Sequence, residues 1–288
     1  MRVEVIEPHG FCTGVKAAIA RALRALSVSR PVFCLHALVH NERVVEDLRE
    51  RGMRFVEDLG DVPEGSTTLF SAHGVTPGAR REAARRGLRV IDATCPFVTR
   101  VHRQVQAYAA RGLSVVVVGH AGHVEVRGVV EEAREAGASV AVVASSGEVE
   151  ALPFPAQAAV GVVCQTTLSA EDAQAVLAAL RARFRRVETG ASSAVCTATR
   201  DRQEAVRRFV AEGGDGVLVL GSAASSNTRR LVEIAEEAGA KAWRAASRDE
   251  LAACAFAGVS RLGVTAGAST PEAFFEQALA DVRGERGA

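Results

Sequence analysis

Short runs of β-branched residues alternate along the chain with longer stretches in which Ala, Arg and Glu recur at helical spacing. Ser114–Val118 is followed by such a stretch over residues 125–136, and Gly216–Leu220 by one over 228–238. Strands of about five residues separated by amphipathic helices predict parallel α/β sheets. The valine run at 115–118 is apolar without alternation, the pattern of a strand covered on both faces.

A longer period lies above this one. Cys12, Cys95 and Cys196 cut the chain into near thirds. Each cysteine follows a short extended run and opens a helical pattern, over residues 14–26, Pro96–Ala110 and 198–211. Pro96 occupies the favoured first helical position, and Gly112 and Gly213 act as stops. Polar loops then recur beyond each cysteine. The nearer ones, at His40, His123 and Ser225, fall at almost the same distance past the cysteine in every third. The farther ones, at His73, Thr166 and Ser269, keep a looser spacing of the same kind. A period near one third of the chain predicts three similar α/β units, with boundaries at 1–95 (including the N-terminal strand), 96–195 and 196–288. Open parallel sheets bind ligands beyond the carboxyl ends of their strands. Three such sheets facing one axis would bring these loops onto one cavity.

Composition narrows the classes. The 288 residues are 48% hydrophobic and carry a net charge of +1, with 35 basic residues spread along the sequence. No basic block or aromatic stripe points to nucleic acid. Lys16 and Lys241 are the only lysines. The longest apolar runs are strand-sized, too short to span a bilayer, and no export signal opens the sequence. A cytoplasmic protein is expected, in which the six cysteines serve packing, catalysis or metal binding, not disulfides.

An ordinary cytosolic cysteine is a small buried hydrophobe, and Cys34 and Cys254, in apolar runs, fit that. Cys12, Cys95 and Cys196 sit among turn and capping residues at expected helix N-termini, where the helix dipole favours a thiolate. Three thiolates at one point need a soft cation or a cluster. Zinc usually takes four ligands from local C-x-x-C pairs, and none is present. Spacing alone leaves cluster ligands and core thiols equally open. His40, His73 and His123 stand at strand-end loops, whereas His9, His36, His102 and His120 are left open, with His102, inside a helix, a candidate to support the site from behind. Glu125 follows His123 by two residues, and a carboxyl in a dry pocket beside histidines is a proton donor, because burial raises its pKa. The glutamates over 131–135 read as a solvated face. Ser225, Ser226, Asn227 and Ser269 are ordinary helix-capping residue types; together with backbone N–H groups they also form an anion site without lysine or arginine. There is no phosphate-binding G-x-x-x-x-G-K-[ST] and no G-x-G-x-x-G after a strand.

Nine segments resemble the 4-hydroxy-3-methylbut-2-enyl diphosphate reductase family. They are Gly10-Phe11-Cys12-Thr13-Gly14-Val15, Val39-His40-Asn41, Ser71-Ala72-His73-Gly74-Val75, Asp92-Ala93-Thr94-Cys95-Pro96, Gly119-His120-Ala121-Gly122-His123, Gln165-Thr166-Thr167-Leu168-Ser169, Cys196-Thr197-Ala198-Thr199 with Arg202-Gln203, Ser225-Ser226-Asn227, and Thr265-Ala266-Gly267-Ala268-Ser269. They run in order over residues 10–269. Val124, Cys164 and Ala223-Ala224 depart from the family's commoner residues.

The resemblance implies a trefoil of three pseudo-threefold-related α/β units around a central [4Fe–4S] cluster, which becomes [3Fe–4S] on loss of its labile iron. It implies Cys12, Cys95 and Cys196 as ligands. His40, His73, His123, Thr166, Ser225, Ser226, Asn227 and Ser269 would contact the substrate. Glu125 would donate protons, with Thr166 and His123 beside it. The implied reaction is reductive dehydroxylation of (E)-4-hydroxy-3-methylbut-2-enyl diphosphate to isopentenyl and dimethylallyl diphosphate, the last step of the methylerythritol phosphate route. Electrons would come from a ferredoxin or flavodoxin. Two other readings share the three-cysteine pattern: a dehydratase or quinolinate synthase-like enzyme, and a non-enzymatic iron–sulfur sensor.

Overall fold

A computed structural model describes residues 1–284 of the chain. In chain order it contains β1 (Arg2–Val5), α1 (Thr13–Val28), β2 (Val32–Leu35), α2 (Glu42–Glu50), β3 (Met53–Val56), β4 (Thr67–Phe70), α3 (Pro77–Arg85), β5 (Arg89–Asp92) and α4 (Pro96–Ala110). Then follow β6 (Ser114–Val118), α5 (Val124–Glu135), β7 (Val140–Val143), β8 (Ala159–Cys164), α6 (Ala170–Arg183), β9 (Arg186–Glu188) and α7 (Thr197–Ala211). The chain continues through β10 (Gly216–Leu220), α8 (Ser226–Glu237), β11 (Lys241–Ala245), α9 (Arg248–Ala252), β12 (Arg261–Ala266) and α10 (Glu272–Arg283). No helix among the described residues is long and apolar enough to cross a membrane.

The strands form three four-stranded sheets, ordered β3-β2-β4-β5, β7-β6-β8-β9 and β11-β10-β12-β1. Every pairing is parallel. The same order recurs three times, so β5, β9 and β1 are equivalent edge strands. Each of them leads into a cysteine and then a helix: β1 to Cys12 and α1, β5 to Cys95 and α4, β9 to Cys196 and α7. This corrects one expectation. The N-terminal strand, counted above with the first third, pairs with β12, in register from Arg2 opposite Arg261 to Val5 opposite Val264. β5 and β9 close the sheets of their own thirds, whereas the third sheet takes its equivalent edge strand, β1, from the start of the chain.

The chain gathers into two compact units. One holds residues 16–39 and 47–196, with the β2–β5 and β6–β9 sheets; the other holds residues 1–15, 40–46 and those from 197 on, with the third sheet. In the larger unit the valines of β6 and β8 are buried on both faces, as the unalternating run requires. Tyr108 of α4 lies flat over Gly161 of β8, where a Cβ would stand 2.4 Å from the ring. Its hydroxyl donates to the Glu188 carbonyl at 3.3 Å. In the smaller unit, Phe209 of α7 packs over Gly214 and Gly263 in the same way.

Candidate functional site

Each chemical side chain identified above stands at a strand end or a helix start, because that is where a parallel sheet leaves backbone N–H groups unpaired. Asn41, His123 and Ser225 occupy the same place in the three repeats, the position before α2, α5 and α8. All three accept a bond from the first helical turn: Asn41 Oδ1 from Val44 N at 3.2 Å, His123 Nδ1 from Glu125 N at 3.2 Å, and Ser225 Oγ from Thr228 N at 3.3 Å. Because His123 Nδ1 accepts, the neutral ring carries its proton on Nε2. The His73 and His123 rings meet edge to face, with centroids 6.3 Å apart.

Glu125 stands in the first turn of α5 and is 2% exposed. Its Oε1 accepts from Thr166 N at 2.8 Å and its Oε2 from Thr166 Oγ1 at 2.9 Å. Burial pushes its carboxyl up to about 6, against the two Thr166 hydrogen bonds and the charge of His102, which pull it down. A carboxyl in this setting changes protonation near neutral pH, as a proton donor must. Gly119, where β6 ends, keeps the loop close: a Cβ there would fall 2.8 Å from Val126 and 2.9 Å from Gln165. The Gln165 amide then accepts from His120 N at 3.0 Å and donates to Thr167 Oγ1 at 2.9 Å.

The smaller unit carries a second group. Ser269 Oγ donates to the His40 carbonyl at 3.1 Å, and Ser222 Oγ bonds Glu42 Oε1 at 2.7 Å. Burial is the largest cause holding the His40 imidazole below its ordinary pKa, with Arg229 adding to it and Glu42 opposing, so the ring is neutral at neutral pH. Asn227 is 4% exposed, and both its amide atoms lack a hydrogen-bond partner among the described residues. A buried amide without partners costs about 1–3 kcal/mol, which marks the place where a polar ligand completes the structure. Ser226 stands at the first position of α8, where its hydroxyl accepts from Arg229 Nη2 at 3.2 Å.

The three cysteines share one backbone device. Cys12 N donates to the Ala268 carbonyl at 3.1 Å, Cys95 N to Ala72 at 3.0 Å, and Cys196 N to Thr166 at 3.3 Å. Each acceptor lies just past the end of an equivalent strand, β12, β4 or β8. Each cysteine thus precedes a helix, and its amide is anchored to a neighbouring strand end. Gly10, with φ +64°, turns the chain into Cys12, a conformation that suits glycine alone at little cost. The remaining thiols differ. Cys34 and Cys164 lie inside strands, and burial pushes both up to about 12. Cys164, which departs from the family's commoner residue, donates to the Ser193 carbonyl at 3.2 Å. Cys254 bonds the Glu250 carbonyl, and burial raises it as well. Among the described residues no three His, Cys, Asp or Glu side chains lie close enough to hold a single metal ion. Cysteine thiolates are the donors that iron–sulfur clusters take, each on its own iron, and each of these three cysteines offers one at a helix start.

Two residues show their roles only in the structure. Arg202 of α7 is 4% exposed, and it donates to the Gly10 carbonyl at 2.7 Å and the Ala198 carbonyl at 2.8 Å, bracing the turn before Cys12. Glu132 does not belong to a solvated face: it accepts from His102 and Gln106 in the larger unit. Both depend on partners in other elements, which local spacing does not encode.

A family profile described as LytB protein matches residues 3–283. The 4-hydroxy-3-methylbut-2-enyl diphosphate reductase of Methylococcus capsulatus is 43% identical over 284 residues, 98% of this chain and 90% of the relative. That of Chlamydia trachomatis is 44% identical over 272 residues, 94% of this chain and 87% of the relative. Among solved structures, the E-1-hydroxy-2-methyl-but-2-enyl-4-diphosphate reductase of Plasmodium falciparum is similar with a TM-score of 0.91 at 34% identity, covering 99% of this chain and 87% of that one. An (E)-4-hydroxy-3-methyl-but-2-enyl diphosphate reductase, titled the terminal enzyme of the non-mevalonate pathway, is similar with a TM-score of 0.69 at 32% identity over 99% of this chain and 100% of that one.

Proposed function

The chain belongs to the LytB family, and from that membership we infer that it is an oxidoreductase converting (E)-4-hydroxy-3-methylbut-2-enyl diphosphate to isopentenyl and dimethylallyl diphosphate. The overall change replaces a C–OH bond by C–H, consuming two electrons and two protons and releasing water. The dehydratase-like and sensor readings lose their support, because the relatives matching nearly the whole chain are named as reductases.

The observation that carries the reading is the buried Glu125 carboxyl, held on both oxygens by Thr166 and raised to about 6. Protonated, it delivers a proton to the departing hydroxyl, with the Thr166 hydroxyl beside it as a hydrogen-bonding partner. His123, with its proton on Nε2, and His73 offer further donors. The diphosphate takes neutral donors, the Asn227 amide with the Ser225, Ser226 and Ser269 hydroxyls and His40, together with the N-terminus of α8. We assign Cys12, Cys95 and Cys196 as ligands of a [4Fe–4S] cluster, with a [3Fe–4S] form as its product of iron loss. When bound, the cluster supplies one-electron steps and a Lewis-acidic iron. A ferredoxin or flavodoxin is the electron source this chemistry calls for.

The test is an anaerobic assay of protein with reconstituted cluster. Oxidation of reduced methyl viologen should depend on the diphosphate and yield both products. Reconstituted protein that leaves the viologen reduced in the presence of this substrate overturns the assignment.

A further inference from the structure

A cavity of about 340 Å³ in the larger unit is lined by Gly74, Asp92, Thr94, His102, Gln106 and Glu132, among others. The roles assigned above leave it unused. His102 stands on α4, and its Nδ1 lies 3.0 Å from Glu132 Oε2 on α5. Gln106, one turn further along α4, donates to the other Glu132 oxygen. The His102 Nε2 is buried and has no hydrogen-bond partner among the described residues.

The ring fits where two glycines leave room. A Cβ on Gly74 would stand 3.4 Å from Nε2, and one on Gly128 would stand 3.5 Å from Cε1. Gly74 follows His73, and Gly128 lies one turn beyond Glu125 on the buried side of α5. The unpartnered edge of the imidazole therefore faces the two segments that carry His73 and Glu125. The other charged groups around the pair are Arg80 of α3 and Asp92 of β5, bonded to each other at 2.8 Å, and Arg103 of α4.

A carboxyl that is 2% exposed has little access to bulk solvent from which to regain a proton it has given up. It needs a titratable neighbour in contact with a wetter space. An imidazole whose Nδ1–H is fixed by a carboxylate has its Nε2 left to take and release a proton. We propose that His102, held by Glu132, is a positioning residue that returns protons from this cavity to Glu125. The inference rests on Glu125 being the proton donor of the reaction above. In the step, the imidazolium releases its Nε2 proton through water to the Glu125 carboxylate and remains neutral, with Nδ1–H on Glu132. The ring then takes a proton from water in the cavity. One proton moves from solvent to Glu125, and no electrons are transferred. The charge of His102 already lowers the proton affinity of Glu125, as coupling between the two requires.

Two variants test this. His102→Asn keeps an N–H donor for Glu132 but does not titrate. His102→Gly leaves space for added imidazole. The first readout is the infrared titration of the Glu125 carboxyl in holoenzyme, identified against Glu125→Gln. The second is viologen-coupled turnover across pH. In His102→Asn the Glu125 midpoint should move upward, because a nearby positive charge is gone. Turnover should fall on the order of 10²-fold, and imidazole should restore it in His102→Gly. An unmoved midpoint overturns the proposal. So does a turnover loss that neither pH nor imidazole changes, since that is a packing defect. If wild-type holoenzyme fails to turn over the diphosphate while the midpoint still moves, the coupling of His102 to Glu125 is supported and the assigned reaction is what fails.

Discussion

Thr166 donates twice to the Glu125 carboxyl, once from its amide and once from its hydroxyl, at 2.8 and 2.9 Å. One residue at the end of β8 thereby fixes both oxygens of a side chain that starts α5. The same residue accepts the Cys196 amide on its carbonyl at 3.3 Å. Thr166→Val should remove one of the two bonds without changing shape, and should move the Glu125 titration upward. Thr166→Ser should retain the wild-type midpoint. Infrared titration of the two variants separates the hydroxyl from the backbone amide, and equal midpoints in Val and Ser would remove the hydroxyl from the account.

Glu125→Gln should lower turnover by at least about 10²-fold, the scale of a lost general acid. Bound iron per chain should be unchanged, because Glu125 is not an assigned ligand. Turnover in the viologen assay and iron by chelator absorbance check both halves. Near-normal turnover removes Glu125 from its role.

Glu125 also makes stability depend on pH. Its folded pKa, about 6, lies above the ordinary 4.5, so the folded chain binds this proton more tightly than the unfolded chain. The stabilisation is fully present below about 4.5 and is lost as pH rises through about 6, amounting to about 2 kcal/mol at 1.36 kcal/mol per unit. Urea titrations of cluster-free wild type and Glu125→Gln at pH 4.5 and 7.5 should show this difference. A wild-type-minus-variant difference that is flat in pH counts against a buried ionising carboxyl.

Serine substitutions should divide the cysteines into two sets. Cys12→Ser, Cys95→Ser and Cys196→Ser should each lower bound iron after reconstitution. Cys34→Ser and Cys254→Ser should not. Iron loss confined to the second pair reverses the ligand assignment.

Arg202→Lys should loosen the turn at His9 and Gly10. A single ammonium does not reproduce the fork that reaches the Gly10 and Ala198 carbonyls. Hydrogen bonds to a charged group are worth roughly 1.5–3 kcal/mol each, so the melting temperature should fall by several degrees. Thermal denaturation of the cluster-free protein measures this apart from any effect on iron.

Much of this fold was legible in sequence because its repeat is local. A cysteine after an extended run, a capping residue and a helical stretch each occupy a few residues, and α4 begins at Pro96 and ends at Ala110, as its proline and glycine signals predicted. What escaped the sequence depends on partners far apart in the chain. Nothing within Arg2–Val5 announces that it pairs with Arg261–Val264, near the opposite end of the chain. Glu132 looks like its acidic neighbours until His102 of another helix is placed beside it. Arg202 falls within a segment that carries the family resemblance, but only the carbonyls it reaches show what it does. The spacing of the cysteines left their role open, and their assignment as cluster ligands is the proposal made above, which the shared amide anchors fit.

The pairing of β1 with β12 bears on the order in which the molecule is made. Synthesis proceeds from the N-terminus, and domains generally fold as units as they emerge. The β2–β5 and β6–β9 sheets are complete once Glu188 has left the ribosome. The third sheet, by contrast, leaves its first-made strand waiting for the last-made one, a separation that slows closure. Cys12 follows β1 and is anchored to Ala268, so its place is fixed only when the final strand arrives. Under the ligand assignment proposed above, iron offered to a nascent chain would meet the Cys95 and Cys196 anchors formed and the Cys12 anchor not yet made, so full iron binding is expected only after synthesis.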